Sequence, residues 1–194
     1  MSNSVVVEEI GRAVIIRFNR PEIRSPLSID VLEELSTILD RIEEPDDVDT
    51  VIFTGVGNVF ASGADLREIS KVNADGAREF AVRGQKLMQQ IYELPINTIA
   101  AVNGICFGGA LDLALACKHR IASPDAVFSH PGTNLGIITG WGGTQRLPRY
   151  IGEARALEMF FTARRVTADE ARAFGLVDRV VADTLESALN FAEV

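Results

Sequence analysis

The 194-residue chain is poor in the residue chemistry that marks several large protein classes. It has only two cysteines and two histidines, with no C-x-x-C and no H-E-x-x-H, so neither a disulfide framework nor a metal site is expected. It has no run of Lys and Arg, and 27 acidic residues against 19 basic ones give a formal charge of −8. A field of that sign repels nucleic acid and anionic membrane, so neither is an expected partner. The longest apolar stretches fall short of the ~20 residues a membrane span needs. The opening MSNSVVVEEIGR is too polar and too acidic for a secretory or transit sequence. A cytoplasmic protein with Cys106 and Cys117 reduced is the expectation.

What is present is globular: 47% hydrophobic and 24% charged residues, with no low-complexity stretch or linker. Ser4–Glu9 and Ala13–Phe18 run apolar or alternate around Gly11, which predicts a β-hairpin. Leu32, Leu35, Leu39 and Ile42 recur at helical spacing, with Ser28 as the expected N-cap and Pro45 as the stop. Thr50–Thr54 and Thr98–Val102 are short buried strands, and Arg120–Ala122, Ala126–Ser129 and Val177–Val181 are further strand candidates. Helices are expected in the charged segment up to Tyr92, over Gly108–Cys117, Gly143–Tyr150, Glu153–Phe161 and Thr167–Phe174, and from Thr184 to Val194. Strands and helices so interleaved predict one α/β domain over residues 1–194.

Two of the buried strands lead into glycine-rich backbone, after Thr54 and after Val102. Ligand sites in α/β folds gather at the carboxyl ends of strands. The first loop ends Phe60-Ala61-Ser62-Gly63-Ala64-Asp65-Leu66, and the second reads Asn103-Gly104-Ile105-Cys106-Phe107-Gly108-Gly109-Ala110-Leu111-Asp112. Gly108-Gly109 stands where a helix begins, so its amides lack intrahelical partners and the helix dipole adds positive charge there. An amide from the Ala64 loop would complete a two-donor oxyanion hole. No G-x-x-x-x-G-K-[ST], G-x-G-x-x-G or G-x-S-x-G occurs, which removes the P-loop, the dinucleotide fold and a Ser62 nucleophile.

These paired loops, with Gly140-Trp141-Gly142-Gly143-Thr144-Gln145-Arg146-Leu147 and Ala171–Val177 downstream, resemble the enoyl-CoA hydratase/isomerase (crotonase) family along the whole chain. The resemblance implies an α/β spiral of ββα units that binds coenzyme A thioesters, needs no further cofactor, and holds the thioester oxygen as an enolate. Carried across by motif, the oxyanion amides are those of Ala64 and Gly109. CoA contacts would involve Ala64, Asp65, Leu66 and Arg67 and the loop after Pro21, with Arg20, Arg24, Arg67 and Lys71 offsetting the ligand's charge. Asp65 is expected to fix its loop through backbone amides. The family also implies trimers or hexamers and a closing C-terminal helical segment, so this sequence is expected to be truncated or covered by a neighbouring subunit.

The departures bear on the chemistry. Family hydratases use two glutamates to place a water and shuttle its proton. The first, three residues after the oxyanion glycine, is Asp112 here, one methylene shorter. It is either the acid/base or a local cap favoured by the helix dipole. The second is replaced by Gly132, within Phe128-Ser129-His130-Pro131-Gly132. His130 is the nearest titratable side chain, either facing the site or turned away to pack the strand end. Trp141 flanks an acyl pocket or packs in the core, and Cys106 is a small core residue. Enoyl-CoA hydration is the nominal activity. Isomerisation, hydrolysis or decarboxylation with one carboxylate, and acyl-CoA binding without turnover, are the alternatives.

Overall fold

A computed structural model of the protein describes residues 4–42 and 48–192. The expected hairpin is formed by β1 (Val5–Ile10) and β2 (Ala13–Phe18), antiparallel across the Gly11 turn. Helix α1 (Ile29–Ile42) follows, and it buries Val31, Leu32, Leu35, Leu39 and Ile42 on one face. Ser28 stands at the cap position, its carbonyl accepting from Leu32, but the first helical amide, Ile29, donates to Glu68 Oε2 at 2.9 Å. The expected stop at Pro45 lies outside the described residues.

The next four strands alternate between two sheets. β3 (Thr50–Gly55) and β5 (Asn97–Val102) join the hairpin in a larger sheet, while β4 (Val59–Ala61) and β6 (Ile105–Phe107) pair in a smaller one. Between β4 and β5 lie the short α2 (Leu66–Ile69) and the long α3 (Ala74–Glu93). α4 (Gly109–Ala116) leads from β6 to β7 (His119–Ala122), and β8 (Val127–Ser129) returns to the smaller sheet. Each turn is thus a strand in the large sheet, a strand in the small sheet and a helix, which is the expected spiral of ββα units. The chain continues through a 3-10 turn at Pro131–Leu135, α5 (Gly143–Ile151), α6 (Glu153–Thr162), β9 (Val166–Thr167), α7 (Ala168–Phe174), β10 (Arg179–Val180) and α8 (Thr184–Ala192). The strand expected over Val177–Val181 pairs with β7 only at Arg179 and Val180.

The large sheet has the order β1-β2-β3-β5-β7-β10, parallel from β2 onward, and is buried on both faces. Side chains alternate between those faces. Val14, Ile16, Val51, Phe53, Ala100 and Val102 join the main core with the helices. Ile15, Ile52, Ile99, Ala101 and Ile121 face the other way, where α8 covers them with Leu185, Ala188 and Leu189. This two-sided burial holds β3 and β5 rigid. The loops at their carboxyl ends therefore start from fixed points.

Candidate active site

The loops after β3 and β5 meet at the amino end of α4. Leu27 pairs with Ala64 in an isolated parallel bridge, with the Leu27 amide donating to the Gly63 carbonyl at 2.8 Å. Gly63 has φ +88°, and a Cβ there would stand 2.5 Å from the Phe107 carbonyl oxygen and 2.8 Å from the Gly109 amide nitrogen. Only glycine permits this conformation and this approach. Ala64 is thereby brought beside Gly109, which opens α4 and has no acceptor for its amide within the helix.

α4 is apolar and buried along its length, so Asp112 is a carboxyl placed in a hydrophobic helix at 0% exposure. One oxygen, Oδ2, accepts a short hydrogen bond from the Thr139 hydroxyl. The other, Oδ1, has no hydrogen-bonding partner among the described residues. Burial pushes the carboxyl pKa up to about 7, against the opposing pull of Thr139, the Trp141 amide, the Arg146 charge and the Gly143 amide. Beside Oδ1, at 3.6 Å, stands Nε2 of His130. That imidazole is 3% exposed and packs against Phe160 with ring centres 5.1 Å apart. Both of its nitrogens lack partners among the described residues, and burial takes its pKa down to about 3, so it is neutral.

A cavity of about 280 Å³ opens onto these groups. Ala64, Leu66, Gly109, Asp112, His130, Gly132 and Trp141 line it, together with apolar side chains of α2, α3 and the 135–138 loop. Seven of the residues picked from the sequence thus converge. Asp65, Arg67 and Arg24 do not line this cavity. Asp65 instead caps α2, its Oδ1 accepting from the Arg67 amide at 2.8 Å, and its carboxylate pairs with the Arg67 guanidinium. The Arg67 side-chain hydrogen bonds outweigh burial and hold the Asp65 pKa below the ordinary carboxylate range. Arg24 and Lys71 are exposed, and Arg20 is half-buried near Ser28.

His130, which follows the last residue of β8, lines the cavity while its ring is buried against Phe160, and it caps no amide with its side chain. Trp141 does both things open to it, contributing to the cavity wall while its ring is buried against Gly84 of α3 and Gly109 of α4. Gly132 supplies no side chain, and a Cβ there would stand 2.7 Å from the Ile137 carbonyl oxygen. Cys106 is buried in the core, where desolvation raises its pKa well above that of a free thiol. Thr139 and Phe160 are the site residues that sequence reasoning missed. Neither carried a signal, since Thr139 is 27 positions from Asp112 and belongs to a stretch notable only for its glycines. Among the described residues, no three His, Cys, Asp or Glu side chains are grouped as a metal site, and no helix is long and apolar enough to cross a membrane.

The chain belongs to the enoyl-CoA hydratase/isomerase family, whose profile matches residues 9–193. It is 40% identical over 180 residues to the short-chain-enoyl-CoA hydratase of Clostridium acetobutylicum, covering 92% of this chain and 69% of that protein. With the crotonyl-CoA hydratase of Syntrophomonas wolfei it shares 38% identity over 179 residues, 92% of this chain and 69% of the relative. The crystal structure of enoyl-CoA hydratase from Bacillus anthracis superposes with a TM-score of 0.93 at 41% identity, over 98% of this chain and 76% of that one. Pseudomonas aeruginosa DspI gives a TM-score of 0.93 at 34% identity, over 99% of this chain and 80% of its own.

Proposed function

We propose that this chain processes acyl-CoA thioesters through a thioester enolate, with enoyl-CoA hydration as its principal reaction. The backbone amides of Ala64 and Gly109 are the oxyanion donors, and Asp112 is the acid/base. The observation that carries this reading is the buried Asp112 carboxyl beside the amino end of α4, with Oδ1 unpartnered and a pKa near 7. A carboxyl of that pKa both takes and returns a proton near neutrality. The amides act where negative charge develops on the thioester oxygen, and each such donor contributes about 2.7–4 kcal/mol. The hydratase names of the relatives from Clostridium acetobutylicum and Syntrophomonas wolfei support the choice of reaction.

Coenzyme A enters this reading as part of the substrate, with no further cofactor. Its phosphates lie against Arg20, Arg24, Arg67 and Lys71. The bridge between Leu27 and Ala64 supports this placement, since it sets the loop after Pro21 beside the 62–67 loop. A cytoplasmic setting suits Cys106 and Cys117, which are buried and unpaired. The protein acts as a homo-oligomer, a trimer or hexamer.

The decisive measurement is exchange of the Cα hydrogens of butyryl-CoA in D₂O, followed by mass spectrometry. The wild type exchanges, and Asp112→Asn loses on the order of 10²–10⁴ of that rate. An Asp112→Asn variant that exchanges as fast as the wild type removes Asp112 from the chemistry. A second reading is favoured by one observation: no carboxyl stands at Gly132, and the Ile137 backbone occupies the space its Cβ would need. Isomerisation of an enoyl-CoA needs only one proton carrier, and a 3-enoyl-CoA assayed beside crotonyl-CoA separates the two reactions. Tight acyl-CoA binding with neither exchange nor turnover would instead mark a binding protein.

A further inference from the structure

Hydration requires a water held and aimed at Cβ, and at Gly132 the chain has no second carboxyl to hold it. Asp112 and His130, both in the cavity wall, carry three buried polar atoms that are unpartnered among the described residues, Asp112 Oδ1 and His130 Nε2 and Nδ1, and of these Oδ1 and Nε2 face each other at 3.6 Å. Leaving such atoms unpaired in a dry interior is unfavourable. Their arrangement suits a small polar guest.

We propose that His130 takes the place of the missing carboxyl, and that its Nε2 and the Oδ1 of Asp112 together hold the water that adds to the enoyl thioester. This deepens the enolate reading above and rests on it. At 3.6 Å the two atoms are too far apart for a direct hydrogen bond, yet close enough for one water on the cavity side to reach both. Their polarities are complementary: the carboxylate accepts from the water, and the Nε2–H tautomer donates to it. The imidazole is neutral, so it forms no ion pair that would tie up Oδ1. Its ring is fixed by burial and by the Phe160 contact. Asp112 is fixed through Oδ2 by Thr139.

The proton balance is closed by Asp112 alone. One water proton passes to Oδ1 as the oxygen bonds to Cβ. The Cα–Cβ π pair moves onto the thioester as an enolate, held by the Ala64 and Gly109 amides. Asp112 then returns the proton to Cα, and the enolate pair forms the new C–H bond. One water has been added, with His130 neutral throughout.

The test compares wild type, His130→Leu and His130→Gln in two assays: hydration of crotonyl-CoA, and Cα exchange of butyryl-CoA in D₂O. Exchange needs Asp112 and the oxyanion amides but no attacking water, so it also reports that the site is folded. His130→Leu should lose about 10²-fold or more in hydration while exchange stays within about threefold. His130→Gln, whose amide still donates, should regain a substantial part of the hydration rate. Undiminished hydration by His130→Leu overturns the proposal, and so does equal loss of both reactions, which would mark a structural role. A wild type that exchanges but does not hydrate overturns this proposal and leaves the enolate reading standing. A wild type that does neither overturns the enolate reading itself.

Discussion

Asp112 and His130 are both buried, yet burial drives their pKa values in opposite directions, up to about 7 and down to about 3. In the unfolded chain they titrate at about 3.9 and 6.5. Between about pH 4 and pH 6.5 the folded protein keeps a proton on Asp112 that the unfolded chain has released, so this group makes stability fall as pH rises. Over the same window the unfolded chain carries a proton on His130 that the folded protein lacks, so this group makes stability rise with pH. Each slope approaches 1.4 kcal/mol per pH unit, and the two cancel. Single substitutions expose them. In urea unfolding at stepped pH, His130→Leu should lose stability relative to wild type as pH rises from 4 to 6.5, whereas Asp112→Asn should gain it. The other groups acting on Asp112 are the Thr139 hydroxyl, the Trp141 and Gly143 amides and the Arg146 charge. Parallel curves for all three proteins would mean that the pair is not buried as described. Catalysis reads the same ionisation: Cα exchange should rise with pH around a midpoint near 7, because Asp112 must be ionised to accept the proton.

At the scale of elements, the turn at Pro131–Leu135 closes on itself through the Ile137 amide, which donates to the Gly132 carbonyl at 3.0 Å. A side chain at position 132 would run into the Ile137 carbonyl oxygen at 2.7 Å, and backbone cannot step aside as a flexible side chain can. Gly132→Glu therefore does not restore a second acid. It should cost about 1–3 kcal/mol in urea denaturation and leave hydration no faster than wild type. A gain in hydration with stability intact would show that the turn opens easily. This packing was not legible in the sequence, which shows the missing glutamate but not what fills its place. Legibility followed element length. The hairpin and α1 announced themselves by alternation and by the spacing of Leu32, Leu35 and Leu39, and the observed bounds agree within a residue or two. The small sheet consists of strands of three residues or fewer; the sequence predicts β8 as Ala126–Ser129, whereas Val59–Ala61 and Ile105–Phe107, inside glycine-rich loops, are too short for any period to show. In the site, Ala64, Gly109, Asp112 and Gly132 were legible because they belong to contiguous motifs. The partners that arrive from distant segments were not: Thr139 for Asp112, Phe160 for His130 and Gly84 against Trp141.

For the whole molecule, the net charge of −8 favours solubility but does not cover every apolar surface. Ile138 is 64% exposed beside the cavity, and Leu135 and Ile137 are exposed with it. On α6, Phe161 is 74% exposed, and Leu157, one turn earlier on the same face, is also exposed. The inner residues of α6 reach the same region, since Phe160 packs on His130. Apolar side chains concentrated on two neighbouring elements mark a surface that gains from being covered. The proposed homo-oligomer covers it. Sedimentation velocity at micromolar protein should then show a species larger than the 21.1 kDa chain, with little binding of an apolar dye. A charge within a contact surface must be desolvated on association, so Phe161→Glu should shift the population towards monomer. Because Phe161 does not line the cavity, Cα exchange by that monomer should persist. A wild type that sediments as a stable monomer and binds no dye would show that these side chains are ordinary exposed surface.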